Sequence, residues 1–425
     1  MTVTIFIGVL LGAMALGMPI AFALIVTGAA LMWHLGTFDT QIVAQNMING
    51  ADNFPLLAVP FFLLAGELMN TGGLSKRIIE VAGAFVGHVR GGLGYVAIFA
   101  AVVMASLSGS AVADTAALAA LLIPMMRKAG YDVGRAAGLM AAGGIIAPVI
   151  PPSIGFIVFG VAAGVSITKL FFAGIVPGVI MGLSLVVTWW WTSRKEDVKP
   201  EPRKSAKEML SALLSSFWAF LLPVLIIGGL KFGIFTPTEA AVTAAVYSLF
   251  VGLFVYRELK INQLYSVFLM AAKTSSVVMF LVAAALVSSW LITVANIPAE
   301  VTALLSPFLG DKLVLMLMMM ALVVVVGTAL DFIPTILILT PVLMPLVNAA
   351  GIDPVYFGVL FIINNAIGLI TPPVGTVLNV VCGVARIGME EVIVGVWPFM
   401  LAELVALFLM VFIPELVTVP AHWFY

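Results

Sequence analysis

Four short polar interruptions break an otherwise apolar chain, and all four are rich in neutral oxygen atoms. The first is Ser106-Leu107-Ser108-Gly109-Ser110, followed after three small residues by Asp114 and Thr115. The second is Pro151-Pro152-Ser153. The third is Gly327-Thr328-Ala329-Leu330-Asp331, with Pro334 and Thr335 beyond it. The fourth is Thr371-Pro372-Pro373-Val374-Gly375-Thr376, followed by Asn379. Proline removes an N–H and clashes with the preceding turn, so carbonyls upstream of each Pro-Pro pair lose their helical partners. In lipid such carbonyls persist only where something else satisfies them. A sodium ion does this well, because it is a hard cation that takes several carbonyl and hydroxyl oxygens. The C-terminal ends of half-helices add a negative dipole toward the cation, and half-helix N-termini favour an anion. These residue types therefore fit cotransport of sodium with an organic anion.

A carboxylate inside a membrane is costly and marks a functional site by default. Asp331 falls at the end of the third interruption, where an ion or water can reach it. Asp114 lies slightly further along, and two readings stay open: it caps the helix that follows or it binds the ion. Asn364 and Asn365 precede the second Pro-Pro pair; they either line a substrate cavity or hydrogen-bond neighbouring helices. Asp114, Thr335, Asn364, Asn365 and Asn379 are the candidates for that cavity. Glu239 follows Thr236-Pro237-Thr238 and reads as a first-turn acid with proline near N1. Glu67 reads as a helix-end residue near the cytoplasmic surface, and the methionines at 316 and 318–320 as filler rather than a metal site.

Taken singly, Gly and Ser in membrane helices usually serve close packing, and Pro often only kinks. Recurrence argues for more. Pro124, Ala129, Gly130, Asp132, Pro151, Pro152, Gly174 and Pro177 each find the identical residue 221 positions on. In each copy the Pro-Pro pair interrupts a long apolar run, IIAPVIPPSIGFIVFG first and IGLITPPVGTVLNVV second. Two copies with a broken helix in the corresponding place are the sequence signature of a secondary transporter.

Composition agrees. Of 425 residues, 63% are hydrophobic and 9% charged, which places the chain in a membrane from end to end. A formal net charge of −1 gives no field to steer nucleic acid. The single cysteine, Cys382, has no partner for a disulfide or a metal site. The first apolar segment lacks the basic region of a signal peptide and reads as a span.

The expected fold is an all-α polytopic membrane protein of two inverted repeats with re-entrant hairpins and broken helices. Residues 1–192 form the first repeat: scaffold helices over 1–70 (2–15, 17–35 and 54–70), an interfacial arm at 75–90, a hairpin at 92–126, a broken helix at 136–165 and a helix at 170–192. Residues 193–212 are a cytoplasmic linker. Residues 213–425 form the second: scaffold helices over 213–293 (213–230, 237–256 and 274–293), an arm at 297–308, a hairpin at 313–347, a broken helix at 355–385 and a helix at 391–413. The hairpin arms, about 14 residues each, are too short to cross, so their tips stop mid-membrane. On this layout every one of the 19 basic residues except Lys169, Lys231 and Lys312 is cytoplasmic, as the positive-inside rule requires. Both termini then face the periplasm.

The runs SLSGSAVADTAA, GGIIAPVIPPSIGFIVFG, GIFTPTEAAVTAAVY and GLITPPVGTVLNVV resemble the large membrane subunit of tripartite ATP-independent periplasmic (TRAP) transporters, and the resemblance covers essentially the whole chain. It implies an elevator mechanism, in which hairpins and broken helices slide against a scaffold in the bacterial inner membrane. It implies sodium as coupling ion and no other cofactor. It implies as partners a small four-helix membrane subunit, absent from this chain, and a periplasmic substrate-binding protein delivering an organic acid. Within the family, this chain is most similar to the branch for keto sugar acids such as diketogulonate. Carried onto this sequence, one sodium site falls at Ser106, Ser108, Gly109, Ser110, Pro151 and Ser153. The other falls at Gly327, Thr328, Asp331, Thr371, Gly375 and Thr376.

The alternatives are a stand-alone sodium/dicarboxylate carrier, an intramembrane enzyme and a channel. Against an enzyme, His34, His88 and His422 all fall near membrane surfaces and no Ser/His or metal-ligand set lies within the spans. Against a channel, there is no repeated filter sequence or ring of charge.

Overall fold

In a bilayer each backbone N–H and C=O must find its partner within its own segment, so apolar runs of this density fold as helices. The computed structural model describes residues 2–194, 198 and 202–423, and among them there is no strand. Among the described residues six helices are long and apolar enough to cross a membrane, Phe54–Thr71, Ile167–Ser193, Pro237–Val255, Ile261–Val294, Phe332–Ala349 and Met389–Phe412, and the bent pair Ala206–Ser215 and Phe217–Lys231 makes a seventh if it counts as one span. The chain is a multi-pass membrane protein.

Several of the shorter apolar helices end at a left-handed glycine, at Gly36, Gly109 and Gly164. The first hairpin is Gly92–Ser108 and Ala111–Ala129, turning at Gly109 and Ser110. The second is Lys312–Gly327 and Phe332–Ala349. Their arms exceed the length expected from sequence, because the tips take only a few residues and the outer helices run on past 126 and 347. Arm length alone therefore does not keep Phe332–Ala349 from spanning.

The breaks lie between Val133–Gly144 and Ile154–Ala163, and between Pro354–Gly368 and Thr376–Ala385. Both Pro151-Pro152 and Pro372-Pro373 are cis. The turns before them match as well. Val149 N–H donates to Ile146 O at 2.9 Å, and Ile370 N–H, at the equivalent position of the second copy, donates to Ile367 O at 3.1 Å.

Several helical stretches differ from the sequence expectation, Glu415–His422 beyond the last expected helix among them. Thr40–Ala51, opened by Asp39 accepting from Gln41 N–H at 2.7 Å, has no counterpart in it, because Gln45, Asn46 and Asn49 dilute its apolar pattern. Ile261–Val294 begins well before residue 274, through a stretch holding Gln263 and Lys273. Within the linker expected at 193–212, residues 195–197 and 199–201 lie outside the described residues. Its end is helical, since Ser205 and Glu208 form a capping box that starts Ala206–Ser215. Glu239 is the first-turn acid expected of it, closing a capping box with Thr236 over Pro237.

The helices pack in two groups that meet where Ile261–Val294 lies against Phe332–Ala349. Ile261–Val294 lies against Ile20–Leu35, Thr40–Ala51 and Ala58–Thr71, and the last of these against Pro237–Phe250. The second group interlocks crosswise: Ala111–Ala129 meets Thr376–Ala385, Phe332–Ala349 meets Ile154–Ala163, and Val133–Gly144 meets Met389–Phe412. That last contact is backbone to backbone. A Cβ on Gly395 would fall 1.9 Å from Gly134 O, and one on Gly138 would fall 2.4 Å from Gly395 C. Gly134 and Gly138 have the small-xxx-small spacing that lets membrane helices approach this closely. Gly395→Ala should force these helices apart at about 1–3 kcal/mol or more, read as a lower melting temperature. Gly383→Ala, where a Cβ meets nothing within 4 Å, is the control. Equal melting of the two variants would contradict this contact.

Candidate functional site

The first hairpin tip rests on the first break. Gly109 ends its helix at φ +63°, and a Cβ there would lie 2.4 Å from Pro152 O and 3.2 Å from Ile154 N. Ser110 caps the next helix, accepting from Ala113 N–H at 3.4 Å. Ser153, fully buried, caps Ile154–Ala163, accepting from Phe156 N–H at 3.1 Å while donating to Pro148 O. Ser108, Gly109, Ser110 and Ser153 thus share one place with the buried Pro151 loop. Ser106 is one turn back and gives its hydroxyl to Val103 O at 2.6 Å.

Asp114 belongs to this tip. Since Ser110 is the cap, Asp114 is free to turn back and accept from the Ser108 hydroxyl. Its other oxygen is buried and receives no hydrogen bond, and neither does the neighbouring Thr115 hydroxyl. From Ala58–Thr71, in the first group, Gly66 approaches the same tip, where a Cβ would meet Ser108 Cβ at 3.2 Å.

The second tip rests on the second break. Asp331 caps Phe332–Ala349 through Phe332 N–H at 2.8 Å, and the same oxygen accepts from Thr376 Oγ1 at 3.3 Å. Thr376 opens the half-helix beyond the break. Gly327, Asp331, Gly368, Gly375 and Thr376 line a narrow cleft with no free room for a water molecule, so it is not a pocket of the roughly 300–1,000 Å³ that organic ligands occupy. Asp331 is exposed where Asp114 is buried, so the two tips are not alike. The Thr328 and Thr371 hydroxyls are committed to carbonyls of their own helices, Val325 O at 2.7 Å and Ile367 O at 2.8 Å.

Asn364 donates to Met320 O at 2.7 Å and Asn365 to Phe332 O at 2.6 Å. These interhelical bonds tie the second break to both arms of the second hairpin. Thr335, also buried, donates to Asp331 O at 2.9 Å. Asn379 is exposed and holds Val374 O at 3.1 Å. The five cavity candidates therefore divide into four interior residues and one that faces out.

Around the two tips, helices end at 108, 144, 327 and 368 and begin at 111, 154, 332 and 376. Each tip thus presents both signs of helix dipole, with negative ends for a cation and positive ends for an anion. No group of three or more His, Cys, Asp or Glu that could hold a metal ion occurs among the described residues.

One residue escaped the sequence reading. Glu403 lies mid-way along Met389–Phe412, fully buried, and neither carboxyl oxygen receives a hydrogen bond. The signal was a lone acid within an apolar span, the same that picked out Asp114 and Asp331.

Residues 7–416 match the family model described as "Tripartite ATP-independent periplasmic transporter, DctM component". Over its whole length the chain is 56% identical to the whole of the 2,3-diketo-L-gulonate TRAP transporter large permease protein YiaN of Escherichia coli. It is 38% identical to the sialic acid TRAP transporter large permease protein SiaM of Vibrio cholerae, over 95% of both chains. Among solved structures it is similar to the Alcanivorax borkumensis YdaH transporter, with a TM-score of 0.62 over 87% of this chain and 86% of that one, at 16% identity. The last likeness is one of fold.

Proposed function

This chain belongs to the tripartite ATP-independent periplasmic transporter family as its DctM component, the large permease, and we propose that it imports a keto sugar acid by sodium cotransport. It is a transporter subunit for organic acids, not an enzyme. In this proposal sodium binds at the two tips, and the substrate anion meets the half-helix N-termini between them. The observation that carries it is the seating of each hairpin tip on a Pro-Pro break, with the two breaks at equivalent positions of the repeat and alike in their turns. In this reading two inverted halves give one ion site at each tip, from opposite sides of the bilayer, the first beside a buried Asp114 and the second beside an exposed Asp331.

The moving part comprises the hairpins, the broken helices and the helices after them, and it slides against the scaffold group. The crosswise interlocking of both hairpins with both broken helices supports its moving as one body. The Arg77–Glu258 ion pair at 2.7 Å, with Arg77 also 3.6 Å over the Tyr256 ring, supports the 75–90 arm and the 257–260 loop lying at one face, which the positive-inside rule makes cytoplasmic. The protein sits in the bacterial inner membrane with both termini periplasmic. A small four-helix subunit completes the scaffold, and a periplasmic binding protein delivers the substrate. The 56% identity to a permease named for 2,3-diketo-L-gulonate supports the keto sugar acid class.

The test is uptake of labelled 2,3-diketo-L-gulonate into liposomes holding this chain with its small subunit, with binding protein outside and a sodium gradient imposed. Uptake that needs the gradient and both partners is expected. Uptake by this chain alone would turn the reading to a stand-alone carrier.

A further inference from the structure

Glu403 is used by neither tip. Burying an ionised carboxylate without a donor or a counter-charge costs several kcal/mol, and a membrane interior does not lower that cost. Six helices pack against Met389–Phe412: Val133–Gly144, Ile167–Ser193, Lys312–Gly327, Pro354–Gly368, Thr376–Ala385 and Glu415–His422. Their titratable groups gather toward the ends of the Glu403 helix. At its start, Arg135 shares a cleft with Glu390 and Glu391, and Cys382 contacts Met389. Arg386 precedes that start, and its neighbour Ala385 gives its carbonyl to Arg127. At its end, the Tyr356 hydroxyl donates to Met410 O and Lys312 donates to Gly351 O, with Glu415 and His422 on the helix beyond. Lys169 stands in the first turn of Ile167–Ser193. Glu403 itself is about 18 Å along the helix from Glu391, at about 1.5 Å per residue.

Architecture does not call for an acid here. The equivalent position of the first copy is Gly182, so the corresponding helix of the first half is built without one. We propose that Glu403 is a proton-binding site: it takes one proton from water to become a neutral acid when enclosed, and returns it to water when the surrounding helices part. Transport then depends on proton concentration as well as on sodium. The inference needs the permease reading but not the placement of the sodium sites.

Two measurements test it. In infrared spectra of the purified protein at neutral pH, the wild type should show a protonated-carboxyl C=O band that shifts in heavy water and is missing from Glu403→Gln. Absence of any such difference overturns the proposal, because Glu403 is then ionised. In the reconstituted transporter at fixed sodium, uptake of 2,3-diketo-L-gulonate should vary with pH in the wild type. That part of the pH response should be lost in Glu403→Gln, which imitates the neutral acid. Identical pH profiles for the two proteins overturn the coupling even where the band is present. Should Glu403→Gln fail to fold, Glu403→Met, apolar and close in volume, takes its place in both measurements with the same outcomes.

Discussion

Gly109→Ala should lose sodium-driven uptake almost completely while the chain still inserts in the membrane. Two costs combine at this residue. Its φ of +63° is left-handed, which costs a residue with a Cβ about 1–2 kcal/mol. The new methyl would also stand 2.4 Å from Pro152 O, an atom of the break itself, and relieving such overpacking costs about 1–3 kcal/mol more. The hairpin tip must lift away from the break, and the oxygens gathered there disperse. A loss of about 1.4 kcal/mol is tenfold in affinity, so sodium affinity should fall at least tenfold. Gly130→Ala separates the two costs: Gly130 has φ +89°, yet a Cβ there meets nothing within 4 Å. It should lose some stability and keep transport. If both variants lose uptake alike, backbone strain explains the loss and the tip contact does not.

Asp331→Ala should also abolish sodium-dependent uptake, through a different route. The change removes an N-cap worth about 0.5–2 kcal/mol and the acceptor for Thr376 Oγ1 at 3.3 Å. It therefore unties the second hairpin from the half-helix beyond the break. Asp331→Asn keeps a competent cap and a hydrogen-bond acceptor but removes the charge. If the carboxylate is needed beside the cation, both variants lose their sodium response and differ only in stability. Uptake with wild-type sodium dependence in Asp331→Asn would reduce Asp331 to a cap.

The breaks and tips were legible because proline pairs, glycine and serine within apolar runs carry local backbone chemistry that reads one residue at a time. The constant repeat offset then linked distant segments that no local pattern could link. What was not legible depends on tertiary contact. Thr376 and Asp331 lie 45 residues apart; the family resemblance assigned both to one site, but the hydrogen bond between them is a tertiary contact that no local pattern shows. The open question at Asp114 turned on whether Ser110 already filled the cap, and at Asn364 and Asn365 on which helices stood opposite. Helices such as Thr40–Ala51 and Ala206–Ser215 hid because polar side chains mask the apolar signal, and the second announced itself only through Ser205 and Glu208. Glu403 was missed although it carried the same signal as Asp114 and Asp331, an acid in the middle of an apolar span.

The central claim is that the two seated tips bind sodium. Its most direct test is the thermal unfolding of the purified chain in sodium chloride against potassium chloride and choline chloride at equal ionic strength. An ion that binds only the folded state stabilises it by mass action, about 2.7 kcal/mol at a hundredfold excess over Kd. A rise in melting temperature specific to sodium is expected, smaller in Gly109→Ala and in Asp331→Ala. Equal melting temperatures in all three salts would contradict it.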